Sequence, residues 1–237
     1  AKMADAGDTL AIEDSRIDAD FRPDEVPVTW RPDDPVPAVR DGETTIRGAE
    51  AIVEFTDGTV GKTRQPKAYR HPELDERLRR ERTAQEARLT HEARTLGVPT
   101  PVIADVDRET ATIVFERVGD NDLRADPTPS RIRTVAGHLA TIHEAGFVHG
   151  DPTTRNVRIW DEDAEAVALI DFGLGYYTDD VEDYAMDLHV FEQSLRGTAD
   201  DADSLASAFE DSYVQEGDEA ILDRLRAIEG RGRYQDA

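Results

Sequence analysis

One spacing constrains this chain more than any other: His149-Gly150-Asp151, then Asn156 five residues past the aspartate, then Asp171-Phe172-Gly173. Residues 157–160 and the apolar run 166–170 read as two short strands joined by an acidic turn. Such a hairpin returns Asp171 to the side of Asn156. Phosphoryl transfer to a hydroxyl needs these residue types in this relation. One carboxylate orients the attacking oxygen and accepts its proton, while an amide and a second carboxylate hold Mg²⁺ on the phosphates. Three matching residues alone carry little in a chain with 52 acidic side chains. The ordered series of helix, loop, strand, turn, strand and Asp-Phe-Gly carries much more.

The rest of the chain supplies a frame for that series. Residues 44–56 are rich in β-branched side chains, Asp57-Gly58 is a hairpin signal, and residues 59–63 return as its partner. Pro72 opens a long helix that Gly97 stops, with Leu74, Leu78, Leu89 and Leu96 as an expected apolar stripe. Strands are expected over 102–106 and 112–117. A second helix follows, capped by Ser130, with Ile132, Val135, Leu139 and Ile142 inward and Gly146 at its end. Residues 181–195, 205–215 and 219–228 read as helices. Strands with one helix, then mostly helices, predict an α+β, two-lobed fold.

Charge narrows the setting. The chain carries 28 Lys and Arg against 52 Asp and Glu, a formal net charge of −24, and its only lysines are Lys2, Lys62 and Lys67. An acid-rich, lysine-poor surface suits a cytosol at molar salt, where screening acts within about 3 Å; a dedicated acidic partner surface is the alternative reading. In such a chain the lysines that remain draw attention to themselves. Residues 62–94 carry ten bases and six acids, whereas 178–223 carry fifteen acids and one base. The basic stretch reads either as helix-face ion pairing or as a face for phosphates or nucleic acid. The sequence contains no Cys, which removes disulfides, thiolate metal sites and cysteine nucleophiles. No apolar run approaches the roughly 18 residues of a membrane span, and with no signal peptide the expected location is the cytoplasm.

From about Ile46 onward the chain resembles the protein-kinase superfamily. The resemblance implies ATP and Mg²⁺ as cofactors, Asp151 as the catalytic carboxylate, and Asn156 and Asp171 as metal ligands. It implies Lys62 on the α/β-phosphates with Glu86 as its ion-pair partner, whereas spacing alone favours Glu86 as a solvent-side partner of Arg82. Glu116 and Val118 fall at the adenine-binding hinge, Gly48, Ala49 and Glu50 at the phosphate-covering loop, and His149 and Asp187 among the structural braces of the catalytic loop. There are departures: no G-x-G-x-x-G, Gly150 in place of an arginine, and a short interval between Asp171 and Asp187 with no A-P-E. A regulated protein kinase with a platform for extended peptides is not expected.

One family accommodates these departures. Residues 47–51, Lys62-x-Arg64-x-x-Lys67-x-Tyr69-Arg70-His71-Pro72-x-Leu74-Asp75, Arg82-Thr83-x-x-Glu86-Ala87-Arg88, His149-Gly150-Asp151-x-Thr153-Thr154, Asp171-Phe172-Gly173-Leu174-Gly175 and Arg231-Gly232-Arg233-Tyr234 together resemble the small atypical Ser/Thr kinase of the KEOPS complex. That resemblance implies phosphorylation of Ser/Thr or ATP hydrolysis beside the threonylcarbamoyltransferase subunit, with other KEOPS subunits and tRNA as partners and no membrane. Arg231, Arg233 and Tyr234 would touch tRNA or a partner; the plainer reading makes these arginines caps of the last helix. Ile12-Glu13-Asp14-Ser15 and Phe21-Arg22-x-Asp24-Glu25-Val26-x-Val28-x-Trp30 resemble the C-terminal tail of the transferase subunit. The expected organisation is therefore a transferase tail over 1–31, a linker over 32–42, a kinase N-lobe over 43–118 and a C-lobe over 119–237, the end of a bifunctional fusion. The alternatives are a small-molecule phosphotransferase of the aminoglycoside or choline type, and a non-catalytic scaffold for tRNA and partner. Pro152, Arg155 and Gly61 depart from the family pattern. Arg155 reads either as a phosphate contact or as a product of the Arg-rich composition.

Overall fold

The computed structural model describes residues 45–48, 50–56, 58–160 and 165–232. The transferase-like segment 1–31, the 32–42 linker, Ala49, Asp57, Arg233 and Tyr234 lie outside them. The first half forms one antiparallel sheet with strands β1 (Thr45–Arg47), β2 (Ala51–Phe55), β3 (Thr59–Arg64), β4 (Ile103–Asp107) and β5 (Thr112–Glu116), in the order β1-β2-β3-β5-β4. The expected strand over 44–56 is two strands, because the chain turns at Gly48, whose amide donates to the Ala51 carbonyl. Helix α1 (Pro72–Thr95) packs on β4 and β5.

The stripe expected on α1 is not its buried face. Leu74 and Leu96 are exposed, and the buried side chains are Thr83, Ala84, Glu86, Ala87, Arg88, Leu89, Thr90 and Ala93, with Asp75 at the first turn. Small residues let the helix approach closely on both sides. Ala87 joins the sheet's core with Ile103, Ile113 and Phe115, whereas Leu89 and Ala93 join the helical core. The helix thus fastens the sheet to the second half of the molecule.

That second half is built on α2 (Pro129–Glu144), α3 (Val181–Arg196), α4 (Ala202–Glu216) and α5 (Glu219–Gly232). The cap of α2 is Thr128, not Ser130. Its hydroxyl accepts from the Arg131 amide, and Pro129 takes the first helical position, where no N–H is needed. Ile132, Val135, Leu139 and Ile142 are fully buried against α4 and the core, as their spacing predicts. Two small ladders complete the fold. Strands β7 (Val157–Ile159) and β8 (Val167–Leu169) form the expected hairpin, while β6 (Phe147–Val148) pairs with β9 (Tyr176–Tyr177). Among the described residues no helix is long and apolar enough to cross a membrane. The architecture is α+β and protein-kinase-like.

Candidate active site

Lys62 leaves β3 toward α1, and its amine sits 2.7 Å from Glu86 Oε1 and 2.7 Å from Asp171 Oδ1. Glu86 is 1% exposed and Lys62 13%, while the Asp171 side chain remains 44% exposed. Burial draws the Lys62 amine down, but the two carboxylates outweigh it and leave the amine above its ordinary value. Burial likewise pushes Asp171 up, and Lys62 outweighs it to hold the carboxyl below the usual range. Arg64, two residues along β3, takes the second oxygen of Glu86 at 2.5 Å. Arg82 instead meets Glu50 at 3.4 Å, so the solvent-side role for Glu86 is overturned.

Asp171 is placed by a direct backbone link: the Ile170 amide donates to the Asn156 carbonyl at 2.9 Å. Its own φ of 66° lies in the left-handed region, which turns the side chain out of the β8 direction toward Lys62. Asn156 donates from Nδ2 to the Asp151 carbonyl at 2.9 Å and to Asp151 Oδ2 at 3.0 Å. Its amide oxygen is the acceptor left for a cation. Asp151 is partly buried, and that burial, reinforced by Asp171 and Asp187, raises its carboxyl above the usual range despite the opposing hydrogen bond from Asn156.

The loop carrying Asp151 is braced from beneath. The amides of His149 and Gly150 donate to Asp187 Oδ2 and Oδ1 at 2.6 and 2.9 Å. His149 is fully buried with its ring 4.5 Å from Phe172, and its Nε2 donates to the Ile170 carbonyl at 3.0 Å. Burial lowers its pKa, consistent with a neutral ring whose Nδ1 accepts from the Asp151 amide. Gly150 has φ 83°, and a Cβ there would stand 2.2 Å from the Leu174 carbonyl oxygen. No side chain fits at this position, where the protein-kinase pattern has an arginine.

These groups border a cavity of about 420 Å³ whose walls include Val53, Phe55, Val60, Phe115, Glu116, Val118, Lys62, Glu86 and Asp171. Apolar walls with a polar end suit a heterocycle bearing charged groups. Glu116 and Val118 lie at its edge with part of their backbone already engaged: the Glu116 amide donates to the Val102 carbonyl at 2.7 Å, and the Val118 carbonyl accepts from Arg158. Arg158 also donates to the Gly119 carbonyl at 2.8 Å and so clamps this connection to β7. Gly48 and Glu50 are not among the lining residues. Arg155 is exposed on the loop that carries Asp151, and Pro152 is buried in it.

Two contributors were not foreseen from sequence. Arg64 figured there only as a motif member, and Asp75 only as the end of a motif. Asp75 in fact gathers the basic segment, accepting from the Lys67 amide at 3.1 Å and from Arg79 at 2.8 Å, with Arg70 at 3.6 Å. The helix expected over 219–228 runs on to Gly232 and takes up much of the basic C-terminal stretch. Arg224 pairs with Glu182, Arg226 with Glu210 and Asp223, and Arg231 falls within the last turn of α5.

No protein-family model matches the chain. Over its whole length the chain is 62% identical to a Halobacterium salinarum protein named "Probable bifunctional tRNA threonylcarbamoyladenosine biosynthesis protein", of which it covers 44%. The chain thus spans less than half the length of the curated relatives it matches and is homologous to one part of a bifunctional polypeptide. Among solved structures, the Rio2 kinase of Chaetomium thermophilum in an ADP/Mg²⁺-phosphoaspartate complex superposes with a TM-score of 0.52 at 16% identity, over 81% of this chain and 70% of that one. An aminoglycoside phosphotransferase from Streptomyces rimosus gives a TM-score of 0.54 at 16% identity, over 78% and 89%. At these identities the likeness is one of fold, and the fold is that of the kinases.

Proposed function

We propose that this chain is an ATP-dependent phosphotransferase or ATPase of the small atypical kinase type, acting as one part of a bifunctional protein in threonylcarbamoyladenosine modification of tRNA. The observation that carries the reading is the Lys62 amine held 2.7 Å from both Glu86 and Asp171 at the polar end of an apolar-walled cavity. The name of the 62%-identical relative supplies the pathway.

The residues fit a nucleotide with Mg²⁺. The free amide oxygen of Asn156 and the carboxylate of Asp171 are hard oxygen donors, too few for an all-protein cage but suited to a cation that keeps water and phosphate oxygens. Among the described residues no larger group of acidic or histidine ligands converges. The metal would neutralise charge on the transferred phosphoryl group. Lys62, oriented by Glu86, would bind the inner phosphates as Asp171 turns to the metal. Asp151, oriented by Asn156, would hold the acceptor hydroxyl or water in line and take its proton, a task that its raised carboxyl pKa serves. The hinge at Glu116–Val118 would read the adenine edge.

In this reading residues 1–31 are the transferase tail, 32–42 a linker, and 43–118 and 119–237 the two kinase lobes. The transferase subunit, other KEOPS subunits and tRNA are the partners, Ser/Thr side chains or water the acceptors, and the cytoplasm the location. The test is ATP turnover with Mg²⁺, compared between the wild type and Asp171→Ala. Turnover that is lost in Asp171→Ala, together with modification of the pathway's tRNA that wild type supports and the variant does not, supports the reading. Equal turnover in both proteins would exclude this site.

A further inference from the structure

The cavity has a cation in its wall far from Lys62 that the proposed chemistry does not use. Strand alternation buries Val157 and Ile159 on one face of β7 and leaves Arg158 half-buried on the other. Its cross-strand partner is Ala168, and Ile170, two residues further on, follows on the same face. Arg158 and Ile170 both line the cavity, to which the sheet contributes Val53 and Val60. The guanidinium is held along one edge. Its Nε donates to the Val118 carbonyl at 3.3 Å and its Nη2 to the Gly119 carbonyl at 2.8 Å. Those two N–H groups point the same way from a planar group, so together they fix its plane as well as its place. The carbonyls are fixed in turn. Gly119 has φ 51°, a Cβ there would stand 1.9 Å from the Ile159 carbonyl oxygen, and the Ile159 amide donates to the Asn121 carbonyl at 2.9 Å. A guanidinium bonded along its edge still offers flat, weakly hydrated faces. In an apolar-walled cavity such a face is matched by the electron-rich face of a heterocycle.

We infer that Arg158 is a base-contacting residue of the proposed nucleotide site, its guanidinium stacked on a purine while the Val118 and Gly119 carbonyls hold its plane. The base is then gripped between the aliphatic side chains of the sheet and a cation on the β7–β8 hairpin. This arrangement selects a neutral, electron-rich purine by its ring, independently of the phosphates that Lys62 serves at the other end of the cavity. The contribution of Arg158 to affinity is therefore the same for a nucleoside as for its triphosphate.

The inference rests on the reading of the cavity as a nucleotide site, and the experiment separates the two. Dissociation constants for adenosine, ADP and ATP with Mg²⁺ are measured at fixed salt in the full chain, for wild type and Arg158→Leu. Leucine keeps an apolar wall and removes the cation with both of its carbonyl bonds. All three ligands should weaken by one common factor of roughly threefold to thirtyfold. A loss that grows from adenosine to ATP would assign the charge to the phosphates, and no loss would leave Arg158 a clamp on the chain; either result overturns the inference. A second readout needs the wild type alone. The Arg158 Nε–H resonance, identified by its absence from the Arg158→Leu spectrum, should move upfield when adenosine binds, through the ring current of a base lying on the guanidinium. A resonance that stays in place would overturn the stacking. Should Arg158→Leu not fold, Arg158→Lys identifies the resonance and the wild-type shift decides. A wild type that binds none of the three ligands would overturn the proposed function and this inference together, whereas wild type and Arg158→Leu binding them equally would overturn the inference alone.

Discussion

Arg64 and Glu86 form an ion pair of 2.5 Å between β3 and α1, with both side chains almost fully buried. Lys62 holds the other oxygen of the same carboxylate. Glu86 therefore carries two cations, and the group of three keeps a positive balance once Asp171 is drawn toward a metal. Arg64→Ala leaves Glu86 with Lys62 alone. Breaking a buried pair costs about 3–5 kcal/mol; with Lys62 still in place a loss of about 1–3 kcal/mol is expected in denaturant unfolding at fixed salt. An unchanged midpoint would contradict the pairing.

The Asp151 carboxyl stands above the ordinary aspartate value, chiefly through burial. Only its ionised form can accept a proton, so turnover falls as pH drops through that raised value. The acid limb of kcat against pH should therefore lie above about 3.9, the reference for an exposed aspartate. Asp151→Asn should lower turnover by about 10²–10⁴ and remove that limb. The folded state binds this proton more tightly than the unfolded chain, so the contribution to stability is full below the unfolded value and is lost as pH rises through the folded one. Melting curves of Asp151→Asn should accordingly lose less stability than wild type over that interval.

Glu192 on α3 is fully buried, and burial together with Glu229 and Glu210 pushes its carboxyl up to about 8, although Arg196 lies 3.1 Å away. The sign is the same: stability associated with the bound proton is complete near pH 4.5 and is lost as pH rises toward 8. Glu192→Gln keeps an oxygen for Arg196 and carries no charge. It should melt higher than wild type at pH 8 and differ little at pH 4.5. A variant less stable than wild type at both values would show that the ion pair with Arg196 dominates instead.

Arg231 and Arg233 follow the ion-paired arginines of α5 in sequence. Replacing both by Ala should weaken retention of tRNA in filter binding at matched salt and reduce its salt dependence, with ATP affinity unchanged. Equal retention would remove the nucleic-acid role of these arginines.

A formal charge of −24 repels itself over about 10 Å at 0.1 M salt and over about 3 Å at 1 M. The melting temperature should rise with KCl across that interval. A flat response would remove the argument from composition to a salt-rich cytosol.

The architecture was legible where pattern and position agree. Ile132, Val135, Leu139 and Ile142 repeat at helical spacing, and all are buried. The hairpin bearing Asp171 was legible because an apolar run, an acidic turn and β-branched residues stand in order. The α1 stripe was not, since a helix packed between two cores buries alanines and a glutamate that no hydrophobic count selects. The cap of α2 falls at Thr128 and not at Ser130 because proline at the first helical position shifts it upstream. The β6–β9 ladder of two residues each is too short to leave a period, and the hydrogen bonds of the buried His143 ring, to the Tyr213 hydroxyl and to Asp187, join residues 70 and 44 apart, beyond the reach of any local pattern.

The β6–β9 ladder has a consequence for control. Between Asp171 and Asp187 the chain is fastened almost continuously: Gln85 holds the Gly175 carbonyl, Tyr177 holds Glu92, and the Thr178 amide bonds the Gly146 carbonyl. Such a segment has no slack to swing out and back, and the space beside Gly150 admits no side chain that could sense a phosphate. On the proposed reading, the site therefore needs no rearrangement of this segment before it can act.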